Sequence, residues 1–217
     1  MGRRIRGQEL KGKKTKDQPK CCIYLFCEGN TERIYLRHFE NSIYNVKIIP
    51  VETGHTDALG IVQFAKQYIE KKPLNLKLGD RGYCVFDSDP KSNTAISRVF
   101  NLLDGVREKG LRCIFSNPSF EVWFVLHFKN APYGCDAKKM KHEAKKLLKD
   151  QFPDYCETTD IFAHLLERQP EAVKRARLLY KSQSEVHTCV YSHACNPFTD
   201  MHLFIDDMRE VRERNRS

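Results

Sequence analysis

No run of apolar residues in this sequence approaches the ~18 that a helix needs to span a bilayer, so no membrane partner is expected. The basic N-terminus lacks the apolar h-region of a secretory signal, so export is not expected either. Cys-x-x-Cys pairs are absent. The nine cysteines are odd in number and irregular in spacing, which argues against a disulfide framework and against the common zinc fingers. Cys21, Cys22, Cys27, Cys84 and Cys113 fall inside apolar, strand-like runs, where a reduced thiol acts as a small hydrophobe. A reducing cytoplasm is therefore the expected compartment. There is no internal repeat. The single tryptophan, Trp123, sits between Phe120 and Phe124 and is expected in the core rather than as a base-stacking platform.

What is present is enough for a packed domain. Of 217 residues, 41% are hydrophobic and 11% aromatic, so the 30% that are charged do not imply disorder. The net charge of +9 is uneven: residues 1–20 carry eight Lys or Arg against Glu9 and Asp17, a net +6, leaving +3 for the other 197 residues. That stretch reads as a basic, unstructured arm. It is either solvated or in salt-sensitive contact with phosphates, and alone it does not establish nucleic-acid binding.

From residue 21 the pattern alternates. Cys21 to Cys27 is a continuous apolar run of strand length, followed by a Gly29-Asn30 turn and a helix that Thr31 could cap. Val46 to Val51 reads as a second strand, short or at an edge because of Pro50. Asp57 suits the N-cap of the next helix, which runs to Lys72. Gly82 to Phe86 and Leu111 to Phe115 are the third and fourth strands. After Asn130 only helices are expected, among them a lysine-rich one from Asp136 to Asp150. The expectation is an α/β fold with a mainly parallel four-stranded sheet over residues 21–130, flanked by helices, and a helical extension over 131–217 packed on it.

Acids stand at successive strand ends: Glu28 after the first, Asp87 and Asp89 after the third, and Glu121 just inside the helix after the fourth. Carboxyl ends of parallel strands face the crevice where open α/β sheets bind ligands. Hard carboxylate oxygens in such a crevice suit Mg²⁺ or Mn²⁺, which need only one or two carboxylates beside waters and substrate phosphates. Glu28 could ligate the metal or move a proton. Each acid also has a plainer reading as a cap or a helix N-terminal charge, and Glu32 reads better as a capping-box acid than as a ligand.

These motifs carry a resemblance. Cys27-Glu28-Gly29-x-Thr31-Glu32, Phe86-Asp87-x-Asp89, Ser116-Asn117-Pro118-x-Phe120-Glu121-x-Trp123, Leu126-His127-Phe128 and Asn196-Pro197-x-Thr199 with His202 come in the order found in the RloB family. That family resembles the TOPRIM nucleases and is related to the second protein of the AbiL abortive-infection pair. The resemblance implies a Mg²⁺-dependent site with Glu28, Asp87 and Asp89 at the metal and Glu121 as a fourth acid. It also implies a role in bacterial antiviral defence, often beside an ATPase of the ABC or OLD type. By analogy with related effectors, the substrate would be RNA, such as tRNA.

Four further features complete the reading. Asn117, Asn196 and His202 could touch substrate, His202 by facing the acids, although a turn and a helix cap explain most of that segment. His187, Cys189, His193 and Cys195 have zinc-binding side chains, but their spacing favours a reduced, packed segment. His127 reads as a buried, satisfied histidine. The lysine-rich helix would hold a phosphate backbone if it flanked the crevice.

Overall fold

The computed structural model describes residues 20–41, 43–88, 96–156 and 159–214. The arm before Lys20 and the candidate ligand Asp89 lie outside the described residues. The sheet has five strands, β1 (Cys22–Cys27), β2 (Lys47–Pro50), β3 (Arg81–Asp87), β4 (Leu111–Asn117) and β5 (Phe198–Thr199), in the order β2-β1-β3-β4-β5. The first four are parallel; β5 runs antiparallel, with Thr199 opposite Ser116 and Phe198 opposite Asn117. This corrects the expectation of four strands. The fifth is two residues long and lies in the Asn-Pro-Phe-Thr segment, too short to show any period.

Side chains alternate across the central strands into two apolar layers, which is why their sequences read as continuous apolar runs. Ile23, Leu25, Tyr83 and Val85 face one layer; Tyr24, Phe26, Cys84 and Phe86 face the other. The second layer is covered by α2 (Ala58–Lys71) and α3 (Ile96–Asp104). The first is covered by α1 (Asn30–Arg37), α4 (Glu121–Leu126), α5 (Ala137–Gln151), α6 (Phe162–Leu166), α7 (Gln169–Val186) and α8 (Met201–Arg214). The C-terminal helices therefore share one core with α1 and α4.

Local chemistry explains several boundaries. Asp57 caps α2, its carboxylate accepting from Gly60 N–H at 2.9 Å, and Asp136 caps α5 through Lys139 N–H at 2.8 Å. Helix α1 starts two residues earlier than a Thr31 cap implies, so Thr31 lies inside it and Gly29 takes the cap position. Burial pushes the Cys21 thiol up to about 12 and those of Cys27, Cys84 and Cys113 upward too, so these cysteines sit protonated among the apolar side chains. Among the described residues no helix is long and apolar enough to cross a membrane.

Candidate active site

The strand order changes direction at β1: β2 lies on one side and β3 on the other. Such a switch point opens a crevice outside the strands' carboxyl ends. Glu28 and Asp87 stand on its two sides. Glu28 N–H donates to the Val85 carbonyl at 3.0 Å, carrying the ladder one residue past β1. Its own Oε2 accepts from Asp87 N–H at 3.2 Å, so the Glu28 carboxylate bridges the two strand ends. Beside it is a crevice of about 340 Å³ whose walls include Glu28, Arg33, Glu52 and His55.

Two more acids join from helices on one face of the sheet. Glu121 is the first residue of α4, and Glu32 lies in the first turn of α1. Burial, then the charges of Glu32, Glu121 and Glu28, hold the Asp87 carboxyl well above the usual carboxylate range; Lys141 of α5 opposes them. The Glu32 carboxyl is pushed up to about 7, first by burial and then by Glu121 and Glu28, against a hydrogen bond from its own backbone N–H and the charge of Lys141. The charges of Glu28, Glu32 and Glu121 thus all bear on Asp87.

Glu32 is more than the capping acid its position suggested. It is 6% exposed, and its Oε2, like that of Glu121, is buried with no hydrogen-bond partner among the described residues. Gly29 makes room for it: a Cβ there would lie 2.6 Å from Glu32 Oε2. Buried, unsatisfied anionic oxygens crowded by like charge fit a hard divalent cation. Glu28 and Asp87 would hold it, with Asp89 following in the chain. Among the described residues alone, no three metal-binding side chains converge into a ligand set.

A sequence model of a family described as RloB-like protein matches residues 23–208 of the chain. The chain belongs to the RloB-like family. No match was found among curated proteins or among solved structures.

Other residues of interest in this RloB-like chain occupy supporting positions. Asn117 is 3% exposed, and its amide donates to the carbonyls of Ser192, His193 and Cys195 at 3.1, 3.1 and 2.9 Å. It clamps the loop before β5 over the strand ends. His193 adds a second tie, its Nδ1 lying 2.6 Å from Ser88 Oγ, directly after Asp87. Asn196 donates to the Cys135 carbonyl at 2.7 Å and so joins that loop to the start of α5. The Asn-Pro pairs beginning at Asn117 and Asn196 are both cis.

His202 is not brought to the acids. It is buried on α8 against the Tyr180 ring, and burial lowers its pKa; the charges that reach it are Asp206 and Arg177. The Asp200 carboxylate does not cap α8 but turns to the sheet and accepts from Phe115 N–H at 2.7 Å. His187, Cys189, His193 and Cys195 do not gather: the Cys195 thiol is buried and bonds to the Cys189 carbonyl at 3.6 Å. His127 is buried with Nδ1 on the Trp123 carbonyl at 2.8 Å, and burial lowers its pKa to about 4; its Nε2 has no partner among the described residues, so it is only half satisfied there.

Sequence reasoning missed Glu32 and Lys141 as neighbours of Asp87. For Glu32 the signal was its spacing, four residues after Glu28 across a strand-to-helix turn. No local signal marked Lys141, one lysine among several on its helix.

Proposed function

We propose that this RloB-like protein is a Mg²⁺-dependent nuclease of the TOPRIM type, hydrolysing phosphodiester bonds, with RNA such as tRNA favoured over DNA. The observation that carries the reading is the meeting of Glu28 and Asp87 at the switch point, the Glu28 carboxylate on the Asp87 N–H, together with the buried, unpartnered carboxylate oxygens of Glu32 and Glu121 among the described residues. Glu28, Asp87 and Asp89 would hold the ion; Mn²⁺ would serve as well. Such an ion would supply Lewis-acid chemistry there, offsetting charge on the scissile phosphate and making water a better nucleophile. Glu28, whose carboxylate accepts from the Asp87 N–H, would serve either as one of these ligands or as the group that accepts a proton. Glu32 and Glu121 add negative potential that draws the cation in. In the cell the protein would act in bacterial antiviral defence, as an abortive-infection effector beside an ABC- or OLD-type ATPase.

The test is cleavage of RNA and DNA by the purified protein with Mg²⁺, mapped by sequencing the ends, beside Glu28→Gln and Asp87→Asn. Loss of the ends in both folded variants is the expected result. Full cleavage by either variant overturns the assignment. Nucleic-acid binding that yields no Mg²⁺-dependent product would make the protein a non-catalytic binding module, a sensor rather than a nuclease.

A further inference from the structure

Helix α5 carries six lysines, and they are not spread evenly. Its buried side chains, Met140, Ala144 and Leu148, define the face against the core. At 3.6 residues per turn, Lys138, Lys141, Lys145 and Lys149 fall within an arc of roughly 80° on one shoulder beside that face. The acids of the helix, Glu143 and Asp150, fall on the opposite shoulder, and Glu143 is already paired with Lys129. Successive lysines of the row are ~4.5–6 Å apart along the axis. Helix α5 packs on α4, whose first residue is Glu121, and Lys141 is the member of the row nearest the core. The charge of Lys141 also reaches both Asp87 and Glu32.

We infer that this lysine row is a track for the phosphate backbone of a single-stranded nucleic acid, leading along α5 into the acidic crevice. The inference rests on the nuclease reading for its destination but not for its binding surface. A row of one sign also answers the acids at the strand ends: negative charge there repels a polyanion, so the strand must be held by cations outside them. The same row could in principle meet an anionic membrane. Helices that bind membranes do so by burying an apolar face among lipids, and the apolar face of α5 is already buried in the core. A polynucleotide needs only the exposed lysines.

The experiment is fluorescence anisotropy of a labelled 20-nucleotide single-stranded RNA with the full chain in EDTA, between 50 and 200 mM salt. The Lys138→Gln/Lys145→Gln/Lys149→Gln variant is compared with Lys139→Gln/Lys146→Gln on the other side of the helix. Glutamine keeps the helix propensity, and circular dichroism checks the fold. The first variant is expected to bind about tenfold more weakly, with a salt slope smaller by about 2, from three lost contacts at ~0.7 each. The second is expected to change little. Equal binding by the first variant and the wild type, or equal loss in both variants, overturns the track. Row-dependent binding to phosphatidylserine vesicles without binding to RNA overturns it in favour of a membrane. Adding Mg²⁺ to the wild type tests the other reading separately: RNA that is bound through the row but never cut removes the nuclease and leaves the track standing.

Discussion

Two acidic regions flank the same strand, β4, and they are built on opposite terms. Below its carboxyl end, Asp207 and Asp200 are both bonded. Asp207 accepts from the Tyr83 hydroxyl at 2.5 Å and pairs with Arg112, and Asp200 accepts from Phe115 N–H. At the ends of β1 and β3, the charges of Glu28, Glu32 and Glu121 bear on Asp87, and two buried oxygens, of Glu32 and Glu121, have no hydrogen-bond partner among the described residues. The first arrangement ties α8 to the sheet. The second raises the free energy of the folded chain, because removing a carboxylate from water costs several kcal/mol and like charge adds to that cost. An acid with bonds is explained by the fold; an acid without them calls for something the fold does not supply.

The largest effect expected from breaking this contrast is on cleavage. Asp87→Asn should lower Mg²⁺-dependent cleavage by about 100-fold or more, a figure typical of losing one electrostatic stabiliser of a reaction. In EDTA the same change should leave the melting temperature equal or higher, since it removes a disfavoured buried anion. A large fall in melting temperature in EDTA would show that Asp87 is structural. The opposite pattern is expected at Asp207. Asp207→Ala leaves Arg112 and the Tyr83 hydroxyl without their shared acceptor and should cost about 1–3 kcal/mol, discounted because Arg112 is partly exposed. At about 2–4 °C per kcal/mol for a chain this size, differential scanning calorimetry would resolve it. Cleavage per folded molecule should be unchanged.

Asp200 gives the contrast a pH dependence. Burial pushes its carboxyl up to about 8, against the hydrogen bonds it accepts. The folded chain therefore binds this proton more tightly than the unfolded chain, whose aspartates titrate near ~3.9. Its stability contribution is complete below that value and is lost as pH rises through the window to about 8. Asp200→Asn keeps an oxygen for Phe115 N–H and carries no charge. It should raise the melting temperature at pH 8.5 by several degrees and change it little at pH 4. Equal shifts at both pH values would mean that Asp200 titrates normally.

The same contrast shows what could be read from the residues. Strands β1, β3 and β4 were legible because each is a largely buried apolar run ending at a turn, β2 only from its short Val46–Val51 run, and Glu28, Asp87 and Glu121 were legible because each stands at or just past the end of a buried run. Strand β5 was not, since two residues carry no alternation and its pairing depends on β4, eighty residues earlier. Asn117 looked like a substrate contact because its motif is polar at a strand end; only the folded loop reveals three carbonyls around its amide. Glu32 was read as a capping acid for a related reason. An acid in the first turn of a helix has a sufficient local explanation, and crowding by Asp87 and Glu121 is a tertiary fact.

Gly29 offers the smallest and most selective break. Its φ of −121° and ψ of 175° are open to any residue, so Gly29→Ala carries no backbone strain. What the methyl group would meet is Glu32 Oε2, at 2.6 Å. The end of a glutamate side chain can move, so the stability change should stay within about 1 kcal/mol. A displaced Glu32 carboxylate would nevertheless alter the potential felt by Asp87 and by a bound cation. We expect Gly29→Ala to raise the Mg²⁺ concentration for half-maximal cleavage several-fold, with cleavage at saturating Mg²⁺ nearly kept. Glu32→Gln should reproduce that shift without touching Gly29. A variant with normal Mg²⁺ dependence would return Glu32 to the role of a helix-capping acid and leave Glu28, Asp87 and Glu121 to form the cluster without it.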